Sequence, residues 1–193
     1  MLNQKGAIFG LDARITLMIF TVISVISAAT LTVDMARISA GALADEIRGI
    51  GDAVEGMHND MKVGIHKVLV KPNPENAFNA LIDEKVIKPG IYRPRWIGPY
   101  IKHLSNVHPK HGKMKIEKQG REHTASCHPS AGCHLWLTLD AVRIDTLEEL
   151  NSSFDGDAEV TPRNEGRIQW SKSEYTESQD IFRLWYRIAP AIQ

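Results

Sequence analysis

The chain has 193 residues, 43% of them hydrophobic, and only two cysteines. That size buries a core without disulfide staples, which excludes a small cysteine-stapled scaffold. The formal net charge is zero but unevenly placed: residues 71–123 hold eleven Lys and Arg against five Asp and Glu, and residues 124–193 hold six against eleven. A basic half and an acidic half suit contacts between identical subunits.

The first element is an uncharged apolar run, Ile15 to Val33. Nineteen residues at about 1.5 Å each span roughly 28 Å, close to the hydrocarbon thickness of a bilayer, so the run predicts a transmembrane helix. Lys5 and Arg14 precede it, whereas Asp34, Asp45, Glu46 and Asp52 follow. The positive-inside rule then places the N-terminus in the cytoplasm and the rest outside. No Gly or Pro break separates this run from an amphipathic stripe of Met35, Ile38, Leu43, Ile47, Ile50, Val54, Met57, Met61, Ile65 and Val68. Glycines at 41, 49, 51, 56 and 64 weaken the stripe's helix by about 1 kcal/mol each, so it leans on neighbours. Lys71-Pro72 is the expected stop.

Asn73-Pro74-Glu75 offers a cap, a proline at the first helical position and an early acid, predicting a short helix that buries Phe78, Leu81, Ile82 and Val86. Residues 91–120 read as loop-linked strands. Leu135, Leu137 and Leu139 alternate with Trp136, Thr138 and Asp140, the two-residue period of a half-buried strand. Thr146 and Glu149 have capping-box spacing. Arg167–Trp170 and Ile181–Ile188 are two further strands. The expected fold is α+β: a long N-terminal hydrophobic spine helix and a small antiparallel β-sheet head packed on the outer half of that helix.

This layout resembles the type IV pilin and type II secretion pseudopilin family over most of the chain. The resemblance rests on a short leader with Lys5 and glycines before the apolar run, on WIGPYI (Trp96–Ile101), on AGCHLWLTL (Ala131–Leu139) and on ELNSSFDGDAEVTPRNEGRIQW (Glu149–Trp170). It implies a leader at 1–10 cut by a prepilin peptidase after Gly6 or Gly10, a filament-core and transmembrane helix at 11–34, an amphipathic continuation at 35–71 and a globular head at 72–193. The family carries a Glu at the fifth mature position. Here that position is Leu11 or Ile15, and Asp12 is the nearest acid, with Arg14 as its internal partner.

The function implied is that of a filament subunit without enzymatic activity, methylated after processing. It would be inserted in the inner membrane and handled by inner-membrane assembly machinery, then polymerised with its own copies through the N-terminal helix. The product is an extracellular pilus (a fimbrium) or a periplasmic secretion pseudopilus, with this chain as a major or minor subunit. The alternatives are a single-pass membrane-anchored binding module and a secreted protein cut at Ser27–Ala29.

Chemistry-bearing motifs are sparse. No phosphate-binding glycine loop, metalloprotease motif or catalytic triad order is present, so the sequence names no catalytic residue and no cofactor. His123–His134 holds two cysteines and three histidines, but Cys127 and Cys133 lack both haem-attachment and zinc-knuckle spacing. In an oxidising compartment a disulfide is the preferred reading, ahead of zinc or copper and of free thiols. Pro129 and Gly132 supply a tight loop between the cysteines. His103, His108 and His111, with Lys110, Lys113 and Lys115, read as a solvated basic loop, with contact to nucleic-acid phosphate as the alternative. Asp155-Gly156-Asp157 reads as a turn ahead of a calcium loop.

Overall fold

The computed structural model describes residues 5–127, 132–156, 166–174 and 179–191, with the side chains of 5–12, 28–34 and 36 outside that set. Two compact units make up the chain, Met1–Ser39 and Ala40–Gln193.

Helix α1 (Lys5–Met61) contributes to both units. In the first, residues 15–26 present nine large apolar side chains to solvent, from Ile15 at 50% to Leu17 and Phe20 at 71%. The expected hydrophobic spine and its transmembrane span are corrected: no helix among the described residues is long and apolar enough to cross a membrane. Four hydroxyl-bearing residues, Thr16, Thr21, Ser24 and Ser27, interrupt the apolar side chains of this part of α1. Met35 and Ile38, expected in the buried stripe, are 70% and 71% exposed.

In the second unit the stripe is real. Leu43, Ile47, Ile50, Val54, Met57 and Met61 are all buried, at three- and four-residue steps, in one core with the sheet. Helix α1 ends at Met61, ahead of Lys71-Pro72, because Lys62 adopts a left-handed φ of 58°. A single turn, α2 (Ile65–Val68), carries Ile65 and Val68 into the same core. Helix α3 (Pro74–Asn79) forms as its cap predicts, with the Asn73 carboxamide oxygen accepting from the Asn76 amide at 2.7 Å.

Five strands are described: β1 (Val107–His108), β2 (Gly112–Gln119), β3 (His134–Arg143), β4 (Ile168–Lys172) and β5 (Ile181–Pro190). They form one antiparallel sheet in the order β1-β2-β3-β5-β4. Leu135, Leu137 and Leu139 enter the core as expected. The alternate residues Trp136, Thr138 and Asp140 are buried too, so β3 is covered on both faces. Segment 120–127 supplies part of that second cover: Trp136 Nε1 donates to the Gly120 carbonyl at 3.0 Å, and His123 stacks on Trp185 at 4.0 Å.

Helix α4 (Ile144–Asp155) follows β3 directly. Its start is not the Thr146/Glu149 capping box: the helix begins two residues earlier, and the Asp145 carboxylate accepts from the Thr146 amide at 2.7 Å. Its C-terminus is a left-handed Gly156. The Asp155 carboxylate then accepts from the backbone amides of Arg167 and Ile168 at 3.0 Å, tying α4 to β4.

Candidate functional site

Four places carry features that packing alone does not explain, and the apolar stretch of α1 is the largest. Its nine exposed residues, Ile15, Leu17, Met18, Ile19, Phe20, Val22, Ile23, Val25 and Ile26, reach every side of the helix, with Leu17 and Phe20 lying among Thr16, Thr21 and Ser24 on its hydroxyl-bearing side. At 100° per residue they surround the helix, the pattern of a helix buried on every side. Its hydroxyls are already satisfied: Thr21 Oγ1 donates to the Leu17 carbonyl, and Ser24 Oγ donates to the Phe20 carbonyl at 2.7 Å. Arg14 is exposed at the start of this stretch. Gly6, Gly10 and Asp12 lie on α1 backbone, outside the residues whose side chains are described.

The second place is the histidine-rich region. Glu46 of α1 reaches both His103, whose Nε2 lies 3.3 Å from one carboxylate oxygen, and His108, whose Nε2 lies 3.2 Å from the other. The His103 contact lacks hydrogen-bond geometry, so it is an ion pair only when that ring is protonated. His108 Nδ1 accepts from the backbone amides of Lys110 at 3.1 Å and His111 at 3.0 Å, so its neutral ring carries the proton on Nε2, facing Glu46. That tautomer offers no lone pair to a metal, and among the described residues no His, Cys, Asp and Glu cluster holds metal-binding geometry. His111 stacks on His108 at 4.6 Å, and burial first, then the His108 charge, pushes its pKa down to about 4.

Two lysines of the expected basic loop pair with carboxylates of the same chain. Lys113 lies 3.5 Å from Glu75, and Lys115 lies 3.3 Å from the buried Asp140, which Arg183 also contacts at 3.0 Å.

Cys127 and Cys133 form a disulfide with a Cα separation of 5.2 Å. Pro129 lies outside the described residues. His123, from the same string, is occupied structurally: its backbone amide lies 2.9 Å and its Nδ1 2.8 Å from the Gln169 carboxamide oxygen. Of the Asp-Gly-Asp turn, Asp155 is engaged by amides as above, and Asp157 lies outside the described residues.

The third place is a groove of about 900 Å3 bounded by α1, the end of α4 and β5. Val54, Met57, Phe154 and Tyr186 give it an apolar floor. Arg48 lies over the Phe154 ring at 4.8 Å, and Arg167 donates to the Tyr186 hydroxyl at 2.7 Å. Tyr100 donates to Asp60 of α1 at 2.7 Å, and burial and that acceptor raise its pKa to about 12. The fourth place, a smaller cavity around the end of β5, shares Arg167 with this groove.

Sequence reading missed Glu46 as a histidine partner and missed both cavities. Their residues come from segments far apart in the chain, and tertiary packing brings them together. No protein-family model matches this sequence, no characterised protein matches it as a relative, and no solved structure matches its fold.

Proposed function

We propose that this chain is a structural subunit of a pilus-like filament, assembled by packing residues 15–26 of α1 against the same residues of sister copies. The observation that carries the reading is the all-round apolar surface of that stretch, nine large side chains each at least half exposed. A patch of this kind on a soluble molecule marks an interaction site. Because it faces every direction, one partner in a closed dimer covers only part of it, whereas several copies arranged head to tail cover it all. At about 25 cal/mol per Å2, a few hundred Å2 buried per neighbour supplies several kcal/mol.

Extracellular pilus and secretion pseudopilus use the same packing, and their location separates them. The test is electron microscopy of material sheared from cells, with mass identification of the fibre protein. Fibres containing this chain are the expected result. Recovery of the chain only as a soluble species, with no fibres in any fraction, contradicts the proposal.

A further inference from the structure

The smaller cavity, about 390 Å3, is lined by Arg121, His134, Arg167, Arg187 and the Ile188–Pro190 end of β5. Its position follows from pairing. Arg187 lies opposite Trp136 in the β3–β5 register, and His134 lies opposite Pro190. The Arg187 amide donates to the Arg167 carbonyl at 2.9 Å, setting these two residues side by side across β4 and β5. Arg121 follows Gly120, whose carbonyl is held by Trp136 Nε1.

The guanidiniums are oriented by neutral groups. Arg187 lies over the Trp136 ring at 5.8 Å from its centre. Arg167 lies over the Tyr186 ring at 5.4 Å and donates to its hydroxyl. Among the described residues no carboxylate lines the cavity. Arginine does not discharge at any accessible pH, so the Arg121 and Arg187 guanidiniums, both near enough to the His134 ring to act on its charge, repel one another unless an anion enters. His134 Nδ1 is buried beside the cavity and, among the described residues, has no hydrogen-bond partner. Burial and the charges of Arg187 and Arg121 hold the His134 pKa below its ordinary value, as an uncompensated cationic field requires.

We propose that this cavity binds a phosphate-class anion, with the guanidiniums of Arg121 and Arg187 and the His134 ring as its donors. Planar guanidinium forks match the oxygen spacing of phosphate in bidentate contacts. The volume lies in the range of small-molecule sites, so a phosphate monoester fits as well as the free anion. The site belongs to the Ala40–Gln193 unit and is independent of the apolar stretch through which subunits would pack.

The experiment is equilibrium dialysis of the full chain, kept in a neutral maltoside detergent, against radiolabelled inorganic phosphate at constant ionic strength. Saturable binding of one phosphate per chain is expected, weakened roughly tenfold or more by Arg121→Gln or Arg187→Gln, in keeping with loss of a charged hydrogen-bond donor. Arg143→Gln, which removes a surface guanidinium paired with Asp145 at 3.1 Å, leaves binding unchanged. Glycerol phosphate as competitor distinguishes the sources. Displacement of the label at lower concentration than inorganic phosphate assigns a monoester or lipid headgroup, and equal displacement assigns the free anion. Arg121 is exposed, so Arg121→Gln keeps the test valid even where Arg187→Gln disturbs Trp136. Non-saturable uptake, or equal binding by wild type and Arg121→Gln, overturns the proposal.

Discussion

Helix α1 is apolar along both of its parts, yet the two parts meet opposite fates. In residues 40–61 the apolar side chains form one stripe, and Leu43, Ile47, Ile50, Val54 and Met57 are at most 5% exposed. In residues 15–26 they occupy every direction around the helix and are 50% exposed or more. A stripe is satisfied by one sheet of the same chain, whereas an all-round surface needs several partners. The pattern around the helix axis, more than apolar content, therefore separates intrachain packing from assembly.

The comparison breaks most readily by truncating one side chain in each part. Ile47→Ala should destabilise the folded unit by about 2–5 kcal/mol, since Ile47 is fully buried. Ile23→Ala, at a position 56% exposed, should leave folding stability nearly unchanged. Urea unfolding of the detergent-held chain, followed by tryptophan fluorescence, checks both. Equal effects at the two sites would show that Ile23 is also packed within its own chain.

The next effect is the Cys127–Cys133 bond, which closes a short loop of sequence separation 6. Loop-closure entropy assigns such a loop about 2 kcal/mol, so Cys133→Ser should lower the urea midpoint accordingly while the apolar stretch of α1 is untouched. An unchanged midpoint would mean that segment 120–127 is held over Trp136 without the bond.

A comparable or smaller effect is pH dependence confined to the folded unit. His111 titrates at about 4 when folded and near 6.5 when unfolded. Below pH 6.5 the unfolded chain takes up a proton that the folded chain resists, so this contribution is fully present above 6.5 and is lost as pH falls toward 4. At about 1.4 kcal/mol per unit, discounted for residual solvent access, the loss is on the order of 2 kcal/mol. Thermal melts at pH 7 and pH 4.5 measure it, and His111→Phe, which retains the stack on His108, should flatten the difference. A variant with the wild-type slope would place the acid sensitivity elsewhere.

The parts of the fold legible in the sequence were those set by local signals. The Asn73 cap and Pro74 define α3, period-two alternation marks β3 and β5, and the stripe from Leu43 to Met61 identifies the buried face of α1. The pairing of Cys127 with Cys133 followed from two cysteines in one loop. Three expectations are corrected. The helix stops at Lys62 in a left-handed conformation, α4 begins at Ile144 after an Arg143 that makes no side-chain cap, and no helix among the described residues is long and apolar enough to cross a membrane. The sites were least legible. Glu46 with His103 and His108, and Arg121 with His134, Arg167 and Arg187, are joined by tertiary pairing that leaves no trace in spacing.

Sedimentation of the full chain after detergent removal, beside a Phe20→Glu/Ile23→Glu variant, tests the assembly claim most directly. Both side chains are exposed, so the variant should keep the folded tryptophan signal of the Ala40–Gln193 unit. The account predicts that wild type sediments as filaments and the variant stays as small species. Identical sedimentation of the two, whether both monomeric or both fibrous, would contradict it.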